Sequence, residues 1–290
     1  MNPTLRTLGL FLLLTALFLF VGYIIGFFYG NTVDALILFL ILALLINIFT
    51  YFFSSTMVLW SYRAKIVNET EEPRIYSIVR NVAQNAKIPM PKVAIIETDM
   101  PNAFATGRNK KHAVVAVTRG LMNLMNDDEI EAVIGHEIGH IKDRDMLLMT
   151  VAATIVGALT FLSRFYLFES IFSSKNREND IIALIVLGLA AFGAMLLQLA
   201  ISRQREFKAD EMSAIITKKP ISLANALRKI EGYVQRKPMK NGNPSTASLF
   251  IVNPFRGKSI LNLFSTHPPT EERIKRLEKL AMKGSLDSIR

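Results

Sequence analysis

Four stretches of this chain stay apolar for longer than a folded core requires, and the polar residues fall into two blocks around them. Residues 8–28 and 35–60 carry no charge. Residues 147–163 are also uncharged, with apolar character continuing past Arg164 to Phe168, and 181–201 form a fourth uncharged run. Crossing a hydrocarbon core takes about 20 helical residues at a rise of about 1.5 Å each, and every run meets or approaches that length. The first run is too long for the apolar part of a signal peptide, and no small-x-small cleavage site follows it, so it is expected to remain as an anchor. For the third and fourth runs the competing reading is a buried hairpin in a soluble core; their length favours a membrane hairpin.

The polar blocks are 61–146 and 202–290. The loop between the first two spans, 30–34, has no Lys or Arg. Arg63 and Lys65 follow the second span, Lys142 and Arg144 precede the third, and Arg203, Arg205 and Lys208 follow the fourth. Basic residues border the cytoplasmic ends of spans, so both polar blocks are expected on the cytoplasmic side, where they can form one domain. The loop 173–180 carries Lys175 and Arg177, offset by Glu178 and Asp180. The expected layout is a membrane hairpin at 1–60, a first part of the polar domain at 61–146, a second hairpin at 147–201 and a second part of the polar domain at 202–290.

Within the first block, Ile75, Ile78, Val79 and Val82 recur at helical spacing over 71–86, and Pro89 and Pro91 stop the run. Residues 92–97 and 112–118 read as strands, with a short edge strand between them over 102–107. Asn126 followed three residues later by Glu129 is a capping box, so a helix should run from Asp127 onward. That helix keeps Gly135 and Gly139, each costing about 1 kcal/mol against Ala, which implies close packing there. Residues 237–246 read as a polar loop. The fold class is α+β, mainly helical, with four transmembrane helices and a small sheet.

The same helix holds His136-Glu137-Ile138-Gly139-His140. Residues four apart share a helical face, so both imidazoles can turn to one ion, with Glu137 placed to reach a water beside it. The chain has only four His and no Cys, so a metal here must use imidazole and carboxylate, which suits Zn²⁺. Catalytic zinc takes three protein ligands. Candidates for the third are Asp, Glu or His on a later element. Residues 202–217 have helical composition and carry Glu206 and Asp210 four apart. Glu206 can ligate while Asp210 hydrogen-bonds an imidazole and fixes its tautomer; the bland reading is a solvated face beside Arg203, Arg205 and Lys208. His140 lies just before the third span and Glu206 just after the fourth, so a membrane hairpin would bring them together.

Formal charge is +10. The basic residues border apolar runs and no nucleic-acid motif is present, so anionic lipid headgroups are the expected partner and nucleic acid is not. His112 follows Lys110 and Lys111 and reads as an exposed loop residue. Asp143 and Asp145 are candidates to support the His pair or simply solvated charges.

Taken in order, H-E-I-G-H, then R-E-F-K-A-D after a membrane hairpin, then S-T-H-P-P-T-E-E-R-I resembles the M48 family of membrane zinc metalloproteases. The resemblance also covers N-A-F-A and V-T-R-G-L. It implies a zincin-like (gluzincin) domain holding one Zn²⁺ on His136, His140 and Glu206. Glu137 is then the general base, Asp210 the acid behind the ligands, and Asn102, Ala103, Phe104 and Ala105 the edge that pairs with substrate backbone. His267, at a helix mouth, is expected to stabilise the oxyanion or touch substrate. The implied activity is an endopeptidase in the cell membrane, catalytic domain cytoplasmic, cutting unfolded or damaged membrane proteins in stress-related quality control. The competing reading is a non-proteolytic scaffold or chaperone whose zinc is structural, with His267 as a fourth ligand. A channel is disfavoured, because the spans offer few polar groups beyond Gln198.

Overall fold

The structure is a computed structural model that describes residues 3–143, 145–155, 203–239, 249–252, 254 and 268–287. Two long apolar helices open the chain, α1 (Pro3–Tyr29) and α2 (Thr32–Ser61). Both are long and apolar enough to cross a membrane. They form a tight hairpin: Gly30 takes φ +73°, and Asn31 caps α2 through the Asp34 N–H. Leu12, Phe20, Leu38, Leu45 and Phe49 are exposed on the hairpin, as a lipid-facing surface requires.

The polar domain contains β1 (Lys65–Val67), α3 (Pro73–Ala86), β2 (Lys92–Ile96), β3 (Ala103–Thr106), β4 (Val114–Thr118), α4 (Arg119–Leu124) and α5 (Asp127–Lys142). Next come α6 (Asp145–Ile155), α7 (Arg203–Thr217), α8 (Pro220–Arg236) and α9 (Thr270–Asp287). Helix α5 closes at Asp143, the turn that follows Lys142. The sheet is mixed, in the order β1-β2-β4-β3, with β2 parallel to β4 and the other pairs antiparallel. Strand β3 is therefore an edge.

Residues along each strand alternate between two cores. Val93, Ile95, Ala103, Ala105, Val115 and Val117 pack towards α3 and α5. Ala94, Ile96, Phe104, Val114 and Ala116 pack with Val58 of α2 and Ala153 of α6. With both faces covered, the strands read as continuous apolar runs. The second core ties the sheet to α2 and α6. A third cluster joins Leu10 and Leu14 of α1 to Leu148, Val151 and Ala152 of α6, so α6 packs against the N-terminal hairpin. The remainder of the third apolar run and the whole of 181–201 lie outside the described residues.

Candidate active site and metal centre

Helix α5 begins with the capping box at Asn126 and Glu129. The box satisfies two backbone donors that a helix start leaves unpaired. From that fixed start, His136 and His140 fall on one face, and both are buried. Helix α7 approaches this face closely because of two glycines. A Cβ at Gly135 would stand 2.7 Å from Thr217 Cγ2 and 2.9 Å from Ser213 Oγ; at Gly139 it would stand 3.3 Å from Ala209 Cα. Ser213 Oγ donates to the Ala132 carbonyl at 2.6 Å, fastening the two helices.

The close approach delivers Glu206 and Asp210 to the imidazoles. His136 Nε2 and His140 Nε2 are 3.3 Å apart, and each lies 3.6 Å from a carboxylate oxygen of Glu206. Ligand atoms about 2.0–2.1 Å from a tetrahedral zinc ion stand about 3.3 Å from one another, so the triangle matches the spacing such an ion needs. Among the described residues, His136, His140 and Glu206 form the group able to hold a metal. Asp210 Oδ1 lies 2.9 Å from His136 Nδ1; accepting a hydrogen bond from Nδ1–H holds the proton on that side and leaves Nε2 as the ligating atom.

Arg273 of α9, buried, completes the arrangement. Its Nε and a terminal nitrogen donate to the two oxygens of Asp210 at 2.9 and 2.7 Å, and its other terminal nitrogen donates to the Ile251 carbonyl at 2.9 Å. The same nitrogen lies 3.6 Å from Glu206. Burial opposes ionisation of Asp210, but the guanidinium outweighs it and holds the carboxyl below its usual range. Burial also pushes His136 down, and hydrogen bonds to Asp210 and Glu206 more than reverse this, raising it to about 9. His140 goes the other way: burial lowers it to about 4, with the Glu206 charge opposing and the charges of His136 and Arg273 adding to the effect, so it is neutral and ready to ligate. The donor set and its spacing fit a divalent metal.

Glu137 lines the same cavity as the imidazoles. Burial raises its carboxyl to about 7, with the Glu206 charge adding to the effect, which suits a general base at neutral pH. Its Oε2 accepts the Ala105 N–H of the edge strand at 2.9 Å. Phe104 and Ala105 line the cavity as well. Asn102 is buried, and its carboxamide is engaged by the chain itself: Nδ2 donates to the Leu249 carbonyl at 3.1 Å and Oδ1 accepts the Ile251 N–H at 3.2 Å.

Asp143 pairs with Lys208 at 2.7 Å, and Asp145, buried, pairs with Arg205 at 3.5 Å. Both pairs join the ends of α5 and α6 to α7. Thr106 of the edge strand meets Thr150 of α6, oxygen to oxygen at 3.0 Å. His112 is exposed, bonded to Asn109 at 2.8 Å and Arg108 at 2.9 Å. His267 lies outside the described residues.

The sequence model described as "Peptidase family M48" matches residues 69–281. A "Protease HtpX homolog" of Thermococcus kodakarensis is 54% identical over 282 residues, covering 96% of each chain. The chain belongs to peptidase family M48. A second "Protease HtpX homolog", from Thermococcus sibiricus, is 50% identical over 284 residues and again covers 96% of each chain. The crystal structure of S. mikatae Ste24p aligns with 94% of this chain at a TM-score of 0.50 and 17% identity. The chain spans 65% of that protein's length, and the likeness concerns fold alone.

This M48 chain is therefore a metallopeptidase of membrane type, acting on polypeptides and dependent on a metal. Sequence reasoning named His136, Glu137, His140, Glu206 and Asp210, which the structure brings together, but not Arg273 or the cavity-lining Met149, Leu249, Phe250 and Ile251. The signal for Arg273 was present. Arg273 sits next to Ile274 and four residues before Leu277, on the apolar side of α9 where both neighbours are buried, and a charge there must have a buried partner.

Proposed function

We propose that this M48 peptidase is a zinc endopeptidase held by four membrane helices, with its active site at the cytoplasmic face. The proposed layout is hairpins at 1–60 and 147–201 and a single catalytic domain assembled from 61–146 and 202–290. The clustering of Lys and Arg at the inner ends of the runs supports that orientation. The observation that carries the reading is the triangle of His136, His140 and Glu206 with the Glu137 carboxylate lining the same cavity.

When bound, zinc supplies Lewis acidity, polarising the scissile carbonyl and making water a stronger acid. His136, His140 and Glu206 would hold it. Asp210 keeps the His136 Nδ1 proton in place, so Nε2 faces the ion. Glu137 takes a proton from the attacking water onto its carboxylate and passes it to the leaving amine nitrogen. The β3 edge at Ala103 and Ala105 offers main-chain groups to an extended peptide, giving affinity with little dependence on sequence. His267 is proposed to hydrogen-bond the oxyanion. A site within a few turns of the apolar helices favours cytoplasmic loops and tails of membrane proteins, which fits removal of damaged ones.

Wild type and Glu137→Gln, purified in detergent without chelators, test this. Expected are one zinc per chain in both and casein cleavage in wild type alone. Full cleavage by Glu137→Gln would remove it as the base. Zinc in both with cleavage in neither would favour a structural metal in a scaffold.

A further inference from the structure

The cavity at the candidate active site is about 20 Å³, room for about one water molecule and far too little for a peptide. A short stretch of the chain itself narrows it. Leu249, Phe250 and Ile251 line the cavity together with the imidazoles and Glu137, and all three are buried. Their backbone is gripped at three points: the Leu249 carbonyl and Ile251 N–H by the carboxamide of Asn102, and the Ile251 carbonyl by Arg273.

These contacts use the groups that a peptide would need. Asn102 adjoins the β3 edge, and its amide gives one donor and one acceptor to a neighbouring backbone. The Ala105 N–H, which points out of the sheet, is held by Glu137. Buried polar groups are paired in folded proteins, so an incoming backbone must replace partners already in place. Tyr62, at the end of α2, has its ring centroid 6.3 Å from that of Phe250 and 5.2 Å from that of Phe104, and Phe104 belongs to the edge strand. Tyr62 and Phe104 thus form an aromatic pocket around the Phe250 ring, and Phe104 and Phe250 line the cavity with Glu137.

We propose that Leu249, Phe250 and Ile251 occupy the substrate's place in the resting protein, and that the pocket holding Phe250 receives a large apolar side chain of the substrate. This rests on the peptidase reading above. The site opens when the segment leaves, so the measured affinity for peptide is the intrinsic affinity reduced by the open fraction. It also gives a peptide with Phe near the cut an advantage over one with Ala.

The test uses the full zinc-loaded chain in detergent as wild type, Phe250→Leu and Phe250→Ala, each checked for folding by gel filtration and circular dichroism. One readout is independent of cleavage: the rate at which 1,10-phenanthroline removes the zinc. The other is kcat and KM on two quenched fluorescent decapeptides differing only by Phe or Ala at one central position. Phe250→Ala should lose zinc faster and bind the Phe peptide with a lower KM, each by about tenfold or more, with kcat little changed. Phe250→Leu, which fills the pocket less completely, should fall between and serves if the Ala variant does not fold. Zinc loss at the wild-type rate would overturn the closure. Faster zinc loss with a higher KM for the Phe peptide would overturn the occupancy, making the segment a wall of the cleft. Faster zinc loss with no cleavage of either peptide, or of casein, by any variant would keep the closure and overturn both the pocket and the peptidase reading.

Discussion

Arg273 holds Asp210 with two parallel hydrogen bonds, at 2.9 and 2.7 Å, while the same carboxylate receives the His136 ring at 2.9 Å. The guanidinium thus acts on the metal centre through one intermediary. A carboxylate shared between a fixed cation and an imidazole cannot swing, so it sets the plane of the ring and the nitrogen that faces the ion.

Replacing Arg273 by Leu should leave the Asp210 charge buried without its guanidinium. Breaking such a pair on one side costs about 3–5 kcal/mol, and loss of the orienting partner should weaken metal binding by about 10–100-fold. Lysine should recover little, because a point charge cannot reproduce the fork. Thermal unfolding and zinc titration of both variants decide the matter. Wild-type zinc affinity in Arg273→Leu would mean that Asp210 orients His136 unaided.

The distance between α5 and α7 is set at Gly135, where an added methyl would stand 2.7 Å from Thr217 Cγ2. Gly135→Ala gains about 1 kcal/mol in helix propensity but overpacks a helix contact, which costs about 1–3 kcal/mol. The helices must part, carrying Glu206 away from the imidazoles. Expected are unchanged or lower stability and weaker metal binding, with partial recovery when Thr217→Ser removes the nearest methyl. Unaltered zinc affinity in Gly135→Ala would show that the ligand triangle tolerates a shift of α7.

Trp60 is the sole tryptophan of the chain and is 83% exposed at the end of α2. Tryptophan favours the boundary between lipid and water. In vesicles its fluorescence should be quenched most by lipids labelled near the headgroup and least by those labelled at the chain ends. The reverse order would place the end of α2 deep in the bilayer and displace the active site from the membrane surface.

Much of this site was legible because its signals are periodic. The i,i+4 spacing of the His pair and of Glu206 with Asp210 fixes one face on each of two helices, and the apolar runs between them imply a hairpin that returns one to the other. Strands β2 and β4 were readable as apolar runs. Strand β1 was not: it has three residues, two of them exposed, too few for any period to register. Nor could sequence reveal that Asn102 is engaged by Leu249 and Ile251. That contact joins residues about 150 positions apart, and no local pattern encodes it. Arg273 was hidden for a different reason, since a charge in a helix rich in Lys and Glu reads as surface until its neighbours on the apolar side are weighed.

The two imidazoles are driven apart in basicity, and this fixes how metal binding depends on pH. His140, lowered to about 4, is a neutral imidazole at neutral pH. His136, raised to about 9 by Asp210 and Glu206 against the opposing effect of burial, is an imidazolium carrying a second proton in the metal-free protein. Ligation requires the neutral ring, so a proton must leave whenever metal enters below that pKa. The sign follows: affinity rises with pH through the neutral range, by up to about tenfold per unit for one proton released, and flattens above about pH 9. Calorimetric zinc titrations at pH 7 in buffers of different ionisation enthalpy should count about one proton per zinc. Asp210→Asn, which removes a partner of the charged ring, should lower that count as well as the affinity. A wild-type count of zero would mean that His136 is already neutral and that Asp210 fixes only its orientation, leaving its charge state unchanged.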